Sequence, residues 1–231
     1  MKKYSFLAVA TLFLTGFALQ SCKKSMDYNQ NVKSAAFVKV VHAAPQRGVL
    51  NFSFDADRVN LDFFNYTNHT SYIPLTTGNN VFKVYDRGSS IALITKNIVV
   101  SGGKNYSLFI VDTALKMDAV LLRDSTRGPG PDSVRLRFAN MSPDAENLDL
   151  YIAGHTTPVA TNVPYKNAGD FLSLKAANNV TFEVRQAGQS NVLATSASIN
   201  LLTGNFYTIW STGFRSLATD VGKVRVEAIR H

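Results

Sequence analysis

One thiol, four imidazoles and a thin scatter of carboxylates carry whatever chemistry this 231-residue chain can do. Cys22 is the single cysteine, so no disulfide forms within the chain and the folded part must be stable through its core alone. His42, His69, His155 and His231 show no metal-ligand spacing among themselves, and none pairs with the cysteine. There is no Gly-x-Ser-x-Gly elbow and no phosphate-cradling glycine loop. Asp144, Glu146 and Asp149 lie close together, but their spacing does not match a calcium loop. The turn Ser142-Pro143-Asp144 reads as a backbone cap, with Pro fixing φ and the Ser and Asp side chains bonding locally. Glu is scarce, and nothing marks a facing carboxylate pair of the kind that hydrolyses glycosides. These residue types predict no catalytic residues, no metal and no cofactor.

Cys22 is the exception because of what precedes it. Lys2 and Lys3 form a basic start, and Phe6 to Leu19 is an apolar run too short for a comfortable membrane span. Leu19-Gln20-Ser21-Cys22 then resembles a bacterial lipobox. That resemblance implies cleavage before Cys22, a thioether to diacylglycerol on its sulfur, and two or three acyl chains, enough for stable anchoring. Residues 1–21 are thus expected to be a cleaved lipoprotein signal peptide and residues 22–34 a lipidated tether. By similarity to Gram-negative lipoproteins, Lys23 rather than Asp after the cysteine implies the outer membrane. The run Lys23-Lys24-Ser25-Met26-Asp27 lacks the acidic export signal of some Bacteroidetes lipoproteins, which leaves both the periplasmic face and the cell surface open.

The formal charge is +8, and removing the signal with its two lysines leaves +6. Residues 35–124 and 133–231 each hold nine basic and seven acidic groups, so the basic balance is spread rather than gathered on one element. That excludes the concentrated basic face of a nucleic-acid binder.

The chain repeats itself. Phe37-Val38-Lys39-Val40-Val41-His42-Ala43-Ala44-Pro45 aligns with Arg135-Leu136-Arg137-Phe138-Ala139-Asn140-Met141-Ser142-Pro143 at an offset of 98. Asn79-Asn80-Val81 aligns with Asn178-Asn179-Val180, and Gly103-Lys104-Asn105-Tyr106 with Gly204-Asn205-Phe206-Tyr207. Two Gly-Pro pairs at 128–131 mark a linker, residues 125–132, between a first unit of 35–124 and a second of 133–231. Within each unit apolar residues alternate with polar ones, as in Leu148/Leu150/Ile152, with turn signals every 8–12 residues. The pattern predicts an all-β chain of two tandem antiparallel β-sandwich domains, immunoglobulin-like or near it.

Residues 134–154, VRLRFANMSPDAENLDLYIAG, resemble the family catalogued as domain of unknown function 4397, with Asp149 and Tyr151 in place. The first copy is more divergent, with Ala44-Pro45-Gln46-Arg47 for Ser-Pro-Asp-Ala and Asn51 for the Asp. The resemblance covers residues 35–213 and implies a tandem β-sandwich on an exported, lipid-anchored bacterial protein, with no catalytic residues to carry over. Asp112-Thr113-Ala114, Asp124-Ser125-Thr126 and Asp132-Ser133-Val134 resemble a bacterial O-glycosylation motif.

Aromatic residues supply the remaining candidates. Phe109 and Trp210 stand on the Ser107 and Thr208 side of equivalent strands, aimed at the other domain, a partner or a sugar ring. Phe63, Phe64, Tyr66 and Tyr72 cluster in an Asn-rich loop whose later counterpart keeps only Tyr165. Five of these aromatics, Phe63, Phe64, Tyr66, Phe109 and Trp210, are the candidate partner-binding residues. The chain reads as a lipid-anchored cell-envelope binding or scaffolding protein with no catalysis of its own, engaging a protein or a glycan. The alternatives are a carbohydrate-active accessory protein or enzyme with an unmarked carboxylate site, and a purely structural spacer.

Overall fold

Period-2 alternation becomes strand throughout. The computed structural model describes residues 35–59, 63–113, 116–124, 127–218 and 222–231, and every regular element among them is a β-strand. Cys22, the signal and the tether lie outside the described residues. The first half runs β1 (Ala36–Ala43), β2 (Leu50–Phe54), β3 (Asp57–Val59), β4 (Ile73–Leu75), β5 (Gly78–Asp86), β6 (Ala92–Val100), β7 (Asn105–Val111) and β8 (Asp118–Arg123). The second runs β9 (Ser133–Asn140), β10 (Leu148–Ile152), β11 (Ala160–Val163), β12 (Asn167–Ala168), β13 (Leu172–Lys175) and β14 (Ala177–Val180). It continues through β15 (Phe182–Gln186), β16 (Val192–Thr195), β17 (Ile199–Leu201), β18 (Phe206–Thr212) and β19 (Arg225–Arg230).

In the first half, one sheet has the order β4-β1-β7-β8 and the other β3-β2-β5-β6. The second half follows the same plan, with β12-β9-β18-β19 and β11-β10-β15-β16, β13 also lying on β9, and a small β14-β17 pair beside them. All ladders between named strands are antiparallel except two: β1 runs parallel to β7, and β9 parallel to β18. The expected antiparallel sandwich is therefore mixed at the middle of one sheet in each half. The chain between β1 and β7 crosses to the opposite sheet and returns, which is the long connection that a parallel neighbour requires.

Each half has its own core. Val38, Val40, Leu108 and Ile110 pack on Phe52, Phe82 and Val84 in the first. Leu136, Phe138 and Ile209 pack with Leu150, Phe182 and Val184 in the second. A third apolar cluster joins the halves: Val41, Ala43, Phe109 and Val111 from β1 and β7 meet Ala139, Met141, Trp210 and Ile229 from the second half. The two central sheets are thus covered on both faces. β1 and β9 show it in their near-continuous burial, whereas β5 alternates because its outer face meets water. Residues Lys33–His231 make up one compact unit.

Trp210 is the only tryptophan and is fully buried in this contact. Its fluorescence follows the junction, while far-UV circular dichroism follows the strands. We expect the two signals to trace one coincident transition in urea, whereas two separate transitions would show that the halves unfold independently. Trp210→Ala should cost about 3 to 5 kcal/mol through the cavity it leaves.

Candidate functional site

The outward faces of β1, β7, β9 and β18 carry polar residues at matched positions, and the junction buries them together. Lys39 and Arg137 correspond at the offset of 98, and Ser107 and Thr208 stand beside them on the neighbouring strands. Asp124 and His231 directly follow the equivalent strands β8 and β19. Each basic residue reaches a carbonyl that ends one of these strands. Lys39 Nζ donates to Arg230 O at 3.2 Å, and Arg137 Nη1 to Arg123 O at 2.7 Å.

At the centre the hydrogen bonds close into a ring. Arg137 Nη2 donates to Asp124 Oδ1 at 2.5 Å, and its Nε donates to Thr208 Oγ1 at 3.0 Å. The Thr208 hydroxyl donates to His231 Nε2 at 2.8 Å, and His231 Nδ1 donates to the Tyr72 oxygen at 2.8 Å. The Tyr72 hydroxyl completes the circuit by donating to Asp124 Oδ2 at 2.7 Å. Ser107 adds a further donor to the same carboxylate. With His231 neutral and protonated at Nδ1, every donor in the ring has an acceptor. Arg137 and Asp124 expose only 4% and 3% of their side chains. Lys39 lies over the Tyr72 ring at 4.8 Å and Arg137 over Phe171 at 4.6 Å, so the cations also rest on aromatic faces.

A hydroxyl, an imidazole and a carboxylate meeting in this way resemble the parts of a nucleophilic relay. The geometry gives them another task. Thr208 is fully buried, its oxygen already accepts from Arg137, and Tyr72 stands between His231 and Asp124. The cluster fastens the two halves. Sequence reasoning missed it, although one signal was present: a basic residue at the same outward position of both copies.

Two tyrosines pin the other end of the junction. Tyr66 donates to Thr212 Oγ1 at 3.2 Å, and its counterpart Tyr165 donates to Asp112 Oδ2 at 3.1 Å. Each is followed by a residue at positive φ, Thr67 at +73° and Lys166 at +63°. The amides of these two residues bond His42 O and Asn140 O, which offsets the backbone strain and aims the tyrosines across.

The five aromatic candidates separate. Phe109 and Trp210 are fully buried against each other, edge to face at 5.5 Å, so the other domain is what they meet, and an external partner for these two is corrected accordingly. Phe64 belongs to the first core beside Phe52, and Tyr66 spans the junction. Phe63 alone of the five is widely exposed, at 77%. The acids near the Ser-Pro-Asp turn have separate structural tasks. Asp144 accepts from the amides of Arg215 and Ser216, Asp149 from those of Asn162 and Gly188, and Glu146 meets Gln186. Among the described residues no three acids, histidines or cysteines gather as metal ligands. Ser133 is buried, with its hydroxyl on Gly130 O.

An open groove distinguishes the second half. In the first half Lys96 of β6 crosses to β8, donating to Asp118 Oδ1 at 2.6 Å and Ala119 O at 2.7 Å. With Lys166 also on Asp118, the two ammonium groups outweigh the upward push of burial and hold that carboxyl at about 2. In the second half Ser196 lies against Phe182 as Lys96 lies against Phe82. Arg225 opposes Thr212 as Asp118 opposes Val111. No such lysine bridge is built there, and a groove of about 560 Å³ runs between β16 and β19. Its apolar side is Leu193, Ala194, Val224 and Val226, and its charged side Lys223, Arg225 and Glu227. Burial raises the Glu227 carboxyl, which lies 3.4 Å from Arg225. Gly213 positions this rim: at φ +87 it passes so near Lys223 that a Cβ would stand 2.1 Å from the Lys223 carbonyl oxygen.

Removing one partner of the buried pair leaves the other charge uncompensated. Asp124→Asn should therefore lower stability by about 3 to 5 kcal/mol, read as the urea midpoint multiplied by its slope. Acid has a separate effect. Burial lowers His42 and His231 from 6.5 to about 4. The unfolded chain then takes up these protons first, so stability present above pH 6.5 falls as the pH drops toward 4. Each histidine contributes about 3 kcal/mol across that window. His42→Gln should remove roughly half of the loss in a urea series from pH 7 to 4.5; an unchanged slope would refute the assignment.

A family profile described as Domain of unknown function (DUF4397) matches residues 36–151, half of the chain. A comparison with curated protein sequences returns no match. Among solved structures, a study of alpha-glucan recognition by family 41 carbohydrate-binding modules from streptococcal virulence factors aligns at 12% identity. It covers 83% of this chain and 96% of that one, at a TM-score of 0.26. A family 26 carbohydrate-binding module from Eubacterium rectale, in complex with maltoheptaose, aligns at 8% identity over 85% and 96%, also at 0.26. Scores this low carry no weight for fold detail or ligand. The profile match shows the family alone: the chain belongs to the DUF4397 family.

Proposed function

We propose that this protein is a lipid-anchored, non-catalytic binding or scaffolding protein of the cell envelope, engaging a protein or glycan through the groove between β16 and β19. The observation that carries this reading is the division between the two polar regions of the molecule. The hydroxyl, imidazole and carboxylate groups at the junction are buried and saturated with one another. The groove is open and combines an apolar floor with a charged rim, the composition of a recognition surface. Fusing the halves through a third core supports it further, because a rigid body loses little entropy when it binds. The lipobox-like Leu19-Gln20-Ser21-Cys22 supports the anchor.

Two measurements test the reading. Cys22→Ala should move the protein from the membrane to the soluble fraction of fractionated cells, and retention in the membrane would refute the anchor. The purified chain, incubated with envelope peptides and oligosaccharides, should return its bound ligand chemically unchanged. Arg225→Asp should release that ligand. A modified product that appears only with active protein would overturn the non-catalytic assignment.

A further inference from the structure

We infer that the groove between β16 and β19 takes an extended peptide strand in which apolar residues alternate with acidic ones, docked along the free edge of β19. The inference rests on the binding reading of the same groove and names its ligand class. Three observations lead to it.

Among the described residues β19 pairs with β18 on one side only, and β16 with β15 on one side only, so the groove is bounded by two sheet edges. An unpaired edge presents a row of backbone donors and acceptors ready to add a strand. In the first half the corresponding gap is blocked. Lys96 occupies it and takes up the Ala119 carbonyl of β8, and Val226 holds the same register on β19.

The block is missing in the second half, and its charge is reversed. Ser196 stands for the bridging lysine, and Arg225 stands for Asp118. Where the first half presents a carboxylate and takes an ammonium, the second presents a guanidinium. The incoming group therefore has the opposite sign, a carboxylate, which Arg225 can engage through the Nη side of its planar fork while its Nε stays 3.4 Å from Glu227.

The floor sets the alternate residues. Val224 and Val226 are part of the second core, and Leu193 and Ala194 pack against it. A strand laid on β19 points every second side chain inward, where an apolar residue extends that core, and the others outward toward Arg225. Four residues cover roughly 13 Å, the length of Val224 to Glu227. Among the described residues no aromatic ring lines the groove to stack on a sugar, which favours a peptide over a glycan.

The test uses the full chain in detergent and a capped heptapeptide of alternating glutamate and valine, with binding read by calorimetry. Binding is expected, with at least tenfold weaker binding of a valine–lysine peptide and of a glutamate–valine peptide N-methylated at alternate residues. Rebuilding the first half's lock with Ser196→Lys and Arg225→Asp should reduce affinity at least tenfold. Arg225→Asp alone, checked for folding by circular dichroism, serves if the double variant does not fold. Equal binding of the N-methylated or lysine peptide, or unchanged binding by a folded Arg225→Asp variant, would overturn the inference. So would displacement of the peptide by maltoheptaose, or a dimer in sedimentation that Arg225→Asp dissolves. If the peptide fails while the envelope ligand is still released by Arg225→Asp, the peptide class falls and the binding reading stands.

Discussion

A buried guanidinium must find a carboxylate, and that requirement organises the middle of this protein. Arg137 leaves the sheet of the second half on its outer face, where water would normally solvate it, and instead meets Asp124 just after the last strand of the first half. Taking both charges out of water costs several kcal/mol per ion, and the Coulomb attraction offsets this only when the remaining donors and acceptors are filled. Ser107, Thr208, His231 and Tyr72 fill them. The apolar cluster around Phe109 and Trp210 supplies the affinity of the junction, while the polar ring sets its register. A shift of one strand position would break the ring and leave a bare charge inside.

The junction has the logic of a symmetric dimer carried within one chain. Equivalent patches of the two halves face each other, as in an isologous contact. Lys39 and Arg137 reach opposite strand ends, and Tyr66 and Tyr165 reach across in the same manner. The symmetry is then broken at single positions. Asp124 and His231 occupy matching places, so a like pair is replaced by a complementary one. Duplication within a chain allows this, because each copy can change its side of the contact alone.

The same freedom separates the outer edges. One half has a lysine that bridges its two sheets, and the other has Ser196 at that place and the opposite charge at Arg225. A sheet edge left unblocked is a hazard for aggregation unless it serves binding. The retained rigidity of the body around it, with two sheets covered on both faces, fits an edge held ready for a partner.

Much of this was legible in the residues. Period-2 alternation, the repeat at an offset of 98 and the turn residues determined the all-β class and the places of several strands, because strand periodicity and turn chemistry are local properties. The single thiol and its apolar leader likewise set the expectation of an anchor. What only the tertiary structure decided was which outward faces meet water. For Phe109 and Trp210, beside Ser107 and Thr208, the residues left the other domain, a partner or a sugar ring open, and Lys39 and Arg137 carried no assignment; all lie at the junction. Two parallel pairings and the open groove were equally hidden. The physical reason is the same in each case: alternation records that a strand has two faces, whereas what covers the second face depends on residues about a hundred positions away, brought near only when both halves have folded.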